Sequence, residues 1–211
     1  MPSDKPVMKR ICLLTLLLCV VLPFAVQAQN RATRLLDKVV NRIDSQKGTT
    51  LSFIIRQSGA PEAEGKIEIQ EGRFTIVLPE MSTWFDGSTQ WTYLQSTQEV
   101  NISTPTPEEL AQTNPCLLLT RYKDDFDCRF IGESNHICEL LLTPRQESEI
   151  SEIRLFIDEK STTLSRLTLL QKGGQSAEIA ITRYESNKNF RPEHFVFKEE
   201  QFPQATIIDL R

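Results

Sequence analysis

Between residues 51 and 103 apolar and polar side chains alternate with period two, and every few residues a turn signal interrupts them. Residues 51–58, 66–70, 73–78, 82–85, 90–94 and 99–103 read as six strands. Gly59-Ala60-Pro61, Glu71-Gly72 and Asp86-Gly87 stand between them and supply the backbone freedom or the fixed angle that a tight reversal demands. The intervals are too short for crossovers, so the strands form an antiparallel meander. The same alternation returns over 126–131, 137–142, 151–157, 164–171 and 177–184, with a short last strand expected at 195–197.

Helical spacing is rare by comparison. Leu35, Leu36, Val39, Val40 and Ile43 recur at three and four, with Arg34, Asp37, Lys38, Asn41 and Arg42 on the other side, which predicts an amphipathic helix ending near Gly48. Thr104-Pro105-Thr106-Pro107-Glu108-Glu109 is a helix start that carries Leu110 and Ala111, and Asn114-Pro115 ends it. A second short helix is expected to carry Cys116, Leu117, Leu118, Leu119 and Tyr122. One main helix and a short helical insert cannot cover both faces of so large a sheet, so the sheet must curl. The fold class expected is mainly β with helices: a half-open antiparallel β-barrel of about eleven strands, closed by an N-terminal helix and a short helical lid.

Lys9 and Arg10 precede an apolar run over residues 11–26, shorter than the roughly 20 residues of a spanning helix, and Val26-Gln27-Ala28 suits a signal peptidase. Residues 1–28 are therefore expected to be an export signal cleaved after Ala28, with 29–211 one domain delivered to the periplasm. The chain carries 24 basic and 28 acidic residues; without Lys5, Lys9, Arg10 and Asp4 the balance is 21 to 27, which offers nucleic acid no footing. Cys12 and Cys19 leave with the signal. Cys128 and Cys138 lie symmetrically about Gly132-Glu133-Ser134-Asn135, so a hairpin turning there predicts a disulfide between them and leaves Cys116 reduced and buried. Three thiols without paired spacing and two distant histidines, His136 and His194, make a poor metal set, and both histidines read as surface residues.

A curled sheet of this size encloses more space than its own side chains must fill. The residues alternating toward one face, Leu51, Phe53, Ile55, Ile67, Ile69, Phe74, Ile76, Leu78, Trp91, Tyr93, Val100 and Ile102, are the candidate cavity wall. Leu36, Val40, Leu110, Leu117 and Leu118 are the candidate lid. Alternating apolar residues are core packing first and cavity lining second, and composition does not separate the two. No Gly-x-Ser-x-Gly elbow and no His-Glu-x-x-His helix occurs, so no catalytic residue is assigned.

The order of pieces carries a resemblance. Glu64-Gly65-Lys66-Ile67-Glu68-Ile69, then Gly72-Arg73-Phe74-Thr75, then Ser82-Thr83-Trp84-Phe85-Asp86-Gly87-Ser88-Thr89-Gln90-Trp91-Thr92-Tyr93 resembles the periplasmic outer-membrane lipoprotein carriers, the LolA-like family. Asp86-Gly87-Ser88-Thr89 departs from that family's Asp-Gly-Lys-Thr only at the third position. Thr106-Pro107-Glu108-Glu109-Leu110, the segment from Asn114 to Tyr122, and Phe195-Val196-Phe197 with Asp209-Leu210-Arg211 match its lid and closing pieces, so the likeness spans nearly the whole exported part. It implies a monomeric carrier, needing no cofactor, whose cavity takes the acyl chains of lipoproteins or other long-chain lipids. Such a carrier has transient contacts with an inner-membrane release complex and an outer-membrane acceptor. The family's Arg-Pro pair before the third-strand aromatic is absent; Arg73 sits directly beside Phe74, so the lid-latching role is not transferred to it. A lipid or lipoprotein sensor, or an enzyme on the same scaffold, is the alternative reading.

Overall fold

The computed structural model describes residues 29–43 and 45–211, and the expected export signal, with Cys12 and Cys19, lies outside them. The first helix, α1, occupies 29–43 and buries Ala32, Leu35, Leu36, Val39 and Ile43, while Arg34, Lys38 and Arg42 remain exposed. Six strands follow as a meander: β1 (Gly48–Gln57), β2 (Ala63–Gln70), β3 (Arg73–Val77), β4 (Met81–Phe85), β5 (Gln90–Leu94) and β6 (Glu99–Ser103). Three short helices come next, α2 (Pro107–Thr113), α3 (Pro115–Thr120) and α4 (Tyr122–Asp125). The chain then returns to strand in β7 (Phe126–Ser134), β8 (Ile137–Pro144), β9 (Ile150–Asp158), β10 (Thr163–Gln171) and β11 (Ser176–Lys188), and ends in β12 (Thr206–Asp209).

All twelve strands form one sheet in the order β12-β6-β5-β4-β3-β2-β1-β11-β10-β9-β8-β7. The fold is an open, curled sheet with few helices, as the alternation requires, and two details differ from expectation. Residues 195–197 are not a strand: Pro192–Phe195 is a 3-10 turn whose Phe195 ring lies under the Arg73 guanidinium of β3, and Phe197 beyond it packs on Trp84. The closing strand is β12 instead, pairing parallel with β6 at the edge, so the count is twelve rather than about eleven.

The connection through the helices sets the curvature. Strands β6 and β7 lie ten inter-strand steps apart in the sheet order, about 48 Å if the sheet were flat. The three helices between them have seven, six and four residues and, laid end to end, cover about 26 Å at 1.5 Å per residue. Only a curled sheet brings its two ends within that reach, and the helices then lie across its concave face.

Local chemistry fixes the reversals. Asp86 Oδ1 accepts from the amides of Ser88 and Thr89 at 2.9 and 2.8 Å, closing the β4–β5 loop. Gly65 faces Phe53 across β1 and β2, and a Cβ there would meet the Phe53 ring at 2.4 Å, so only glycine lets that ring lie flat on the wall. The β7–β8 turn is Asn135-His136, both with positive φ, the two-residue geometry that matches strand twist.

That turn overturns the expected disulfide. The reversal falls beyond Glu133, the midpoint between the two cysteines, so Cys128 lies opposite Leu142 and Cys138 opposite Glu133, with a register shift between Phe130 and Gly132. Cys116, Cys128 and Cys138 are all free thiols. Burial pushes their pKa values up, Cys116 to about 12 and Cys128 and Cys138 to about 11, which leaves them protonated and poorly reactive. Thiol titration of denatured, unreduced protein is expected to find all three; a count of one would restore a bridge.

Candidate functional site

Opposed residues of paired strands share a face, so the register separates the concave wall from the outer surface. Leu51 faces Ile67, Ile67 faces Ile76, and Ile69 faces Phe74, which in turn faces Phe85. Leu51, Phe53, Ile67, Ile69, Phe74 and Ile76 are buried in a single cluster with α1, and Ile55 and Leu78 pack against it partly buried. Eight of the twelve expected wall residues therefore lie together. Phe53 and Leu78 also reach an open groove of about 480 Å³ whose other walls include Glu64, Gly65, Lys66 and Pro79.

The other four lie on the opposite face. Trp84 faces Trp91, Trp91 faces Ile102, and Tyr93 faces Val100, whereas Phe85 and Thr83 of the same β4 strand belong to the inner series. Trp91, Tyr93, Val100 and Ile102 are thus removed from the wall. The C-terminal segment crosses outside them: Phe202 lies 4.6 Å from Tyr93 and 5.6 Å from Trp84, and Phe197 lies 5.5 Å from Trp84. In β5 and β6 the apolar residues take the outer face, and alternation alone does not say which face is concave.

Arg73 also lies outside, opposite Gln70, with its guanidinium over the Phe195 ring and paired to Glu71 at 2.7 Å. Next to it His194 bonds Glu68 at 2.7 Å and stacks on Phe190, so it is a packed residue that helps hold the C-terminal segment, rather than a plain surface one. Burial pushes the Glu68 carboxyl up, but the hydrogen bonds from His194 and Lys66 outweigh it and the net shift is downward.

The inner wall extends past the residues named from sequence. Leu140 and Leu142 of β8, Ile153, Leu155 and Ile157 of β9 and Leu167 of β10 are buried in the same cluster and continue it under α1. Their period-two spacing was present in the sequence. Toward the lid's origin the inner face turns polar instead, with Thr83, Gln90, Thr92, Asn101 and Ser103 in register.

The lid is built of short helices with strong starts. Thr106 and Glu109 form a reciprocal capping box on α2, and Asn114 Oδ1 caps α3 by accepting from the Cys116 amide at 3.0 Å. Leu110, Leu117 and Leu118 pack partly buried against the core, Leu119 is fully buried, and the two lid residues contributed by α1, Leu36 and Val40, are fully and partly buried. Among the described residues, the hydrogen bonds of 106–120 close within the segment itself. α2 and α3 therefore rest on the wall through apolar contact, which is non-directional and reversible.

α4 is held differently. The Tyr122 hydroxyl donates to Asp37 Oδ1 at 2.7 Å, Lys123 pairs with the same carboxylate at 2.7 Å, and Arg145 donates to the carbonyls of Lys123 and Asp124. Burial pushes Asp37 up, but the bonds from Lys123 and Tyr122 bring it below its ordinary value, while burial raises the Tyr122 phenol. A depressed carboxylate stabilises at neutral pH, and that contribution fades as pH falls below the ordinary aspartate value of 3.8. Tyr122→Phe is expected to cost about 1 kcal/mol and to speed amide exchange in α4 at pH 7. Unchanged exchange would mean that the bond does not anchor the helix.

The family model for outer membrane lipoprotein carrier protein LolA matches residues 22–175, well over half of the chain. The chain belongs to the LolA family. The match ends at the start of β11, so the segment with Phe197, Phe202 and β12 lies beyond it. Among solved structures, an uncharacterized conserved protein from Thermus thermophilus is similar at 14% identity and a TM-score of 0.55, covering 85% of this chain and 99% of that one, which shows a shared fold. A LolA superfamily protein from Nitrosomonas europaea is similar at 10% identity and 0.43, covering 79% and 97%. MucB of Pseudomonas aeruginosa, in complex with MucA, is similar at 16% identity and 0.44, with 81% of this chain covering 62% of that one. No curated protein matches the chain.

Proposed function

We propose that this member of the LolA family is a periplasmic carrier that shelters the acyl chains of lipoproteins, or other long-chain lipids, between its curled wall and its helical lid. Residues 29–211 form the carrier, exported by cleavage after Ala28. It works as a monomer, receiving its load from an inner-membrane release complex and delivering it to an outer-membrane acceptor, and its own residues do no bond-making chemistry.

The observation that carries this reading is the apolar wall covered by helices that no described hydrogen bond ties to it. Lifting α2 and α3 withdraws Leu110, Leu117, Leu118 and Leu119 from the wall cluster and opens it to an incoming chain, while α4 stays pinned to α1. Exposing the three partly buried lid leucines and buried Leu119 costs up to about 6–12 kcal/mol in all, and burying about sixteen methylenes of an acyl chain returns about 13 kcal/mol. The exchange is favourable when loaded and self-closing when empty.

Native mass spectrometry of the exported protein, followed by titration with a fluorescent acyl probe, tests the proposal. Co-purified acylated peptide or lipid, or saturable probe binding displaced by long-chain lipid, is the expected result. A protein that is always ligand-free and binds no acyl probe would make the wall a packed core and nothing more.

A further inference from the structure

The solvent face of α1 carries one sign of charge. Its exposed residues are Asn30, Arg31, Arg34, Lys38, Asn41 and Arg42, and Asp37, the acid of this helix, is turned instead to Tyr122 and Lys123 of α4. Arg31 is engaged by Glu133 and Glu159. Arg34, Lys38 and Arg42 remain, at four-residue intervals, and none of them pairs with a carboxylate among the described residues. Arg42 lies over the Tyr184 ring at 4.9 Å, a contact that leaves its charge whole. By contrast Arg56, Arg145, Arg154 and Arg166 each reach at least one carboxylate.

Helix stability does not account for the row. Cations suit the last turn of a helix, which explains Arg42 but neither Arg34 nor Lys38. Like charges four residues apart repel on one helix face, so the spacing works against α1 rather than for it. Packing does not account for it either, since all three side chains are exposed. What the spacing does produce is a line of three cations about 6 Å apart and about 12 Å long. The row lies on the outward side of α1, which shares the covering of the concave face with the lid and is joined to it through α4.

The row is also narrow. Glu159 stands in the groove beside Arg34 and Lys38, and on α4 Asp124 is exposed next to Lys123, which is paired to Asp37. A flat anionic surface would meet these carboxylates together with the cations, whereas a slender acidic segment lying along the helix meets the cations alone. Carboxylates at every fourth position of a helix recur at the same 6 Å interval.

We propose that Arg34, Lys38 and Arg42 form a docking row for an acidic segment of a protein partner, which is thereby held beside the lid. The inference rests on the carrier reading for the partner's role alone; the row itself is read from α1.

The test titrates the labelled protein with a helical peptide bearing Glu at every fourth position and follows amide chemical shifts. The shifts are expected to saturate, to fall on residues 30–42, to vanish at about 0.5 M salt and to be absent with the Gln counterpart of the peptide. Arg34→Gln combined with Lys38→Gln keeps helix propensity and is expected to weaken binding about fivefold. Lys172→Gln combined with Lys198→Gln makes the same change of net charge at two other exposed positions and is expected to leave binding unaltered. Equal binding of the two peptides, shifts scattered over other lysines, or equal losses in the two double variants would overturn the row. Binding of phosphatidylglycerol vesicles that the first double variant loses, with no binding of the Glu peptide, would overturn the protein partner and make the face a lipid contact. Uptake of a fluorescent acyl probe by that variant is expected to match the parent. Failure of the unaltered protein to bind the acyl probe would overturn carriage, and with it the partner's role, whatever the peptide does.

Discussion

Phe74→Ala is expected to destabilise the protein by about 3–5 kcal/mol, lowering the unfolding midpoint by roughly 10 °C for a chain of this size. Phe74 is fully buried at the middle of the wall, faces Ile69 and Phe85, and meets the Phe85 ring at 5.3 Å. Cutting the ring away removes its transfer free energy and leaves a cavity between strands whose pairing on both sides prevents collapse. Denaturant unfolding measures the effect. Val77→Ala on the same strand is the control, since Val77 is 44% exposed and its loss is expected within about 0.5 kcal/mol. Similar costs at the two positions would mean that the concave face is not the main packed surface.

Leu118→Glu is expected to lower affinity for a fluorescent acyl probe by at least about tenfold while the protein still folds, with a loss of stability of no more than about 3 kcal/mol. Leu118 lies on α3, partly buried against the wall cluster, in the part of the lid held by apolar contact. In the empty protein a carboxylate there can turn to water by lifting a helix whose described contacts with the wall are apolar. In the loaded protein it would face hydrocarbon, and an unpaired charge in such surroundings is costly. Leu118→Met conserves volume and apolarity and should bind as the parent does. Equal uptake by the glutamate variant would remove α3 from the binding surface.

Much of the architecture was written locally. The turn residues at Glu71-Gly72 and Asp86-Gly87, the capping box at Thr106 and Glu109, and the apolar stripe of α1 each act over a few residues, and the elements they delimit form where the pattern indicates. The β7–β8 turn was misplaced because Asn135-His136 carries no glycine, and the error displaced the cysteine register with it. Residues 195–197 alternate as a strand does, yet Phe195 packs against Arg73 and Phe197 against Trp84 from outside the sheet, an arrangement that only long-range contacts decide.

Sequence by itself determined the antiparallel meander, the amphipathic helix α1, the presence of short helices after β6, though as two rather than three, and eight of the twelve wall residues, because period and turn chemistry are properties of neighbours along the chain. Only the tertiary structure decided which face of β4, β5 and β6 is concave, since Trp91, Tyr93, Val100 and Ile102 alternate as regularly as the true wall does. The physical reason is that alternation sorts side chains into two sets without naming the inside. That assignment is made when α1 and the lid cover one face and the C-terminal aromatics cover the other.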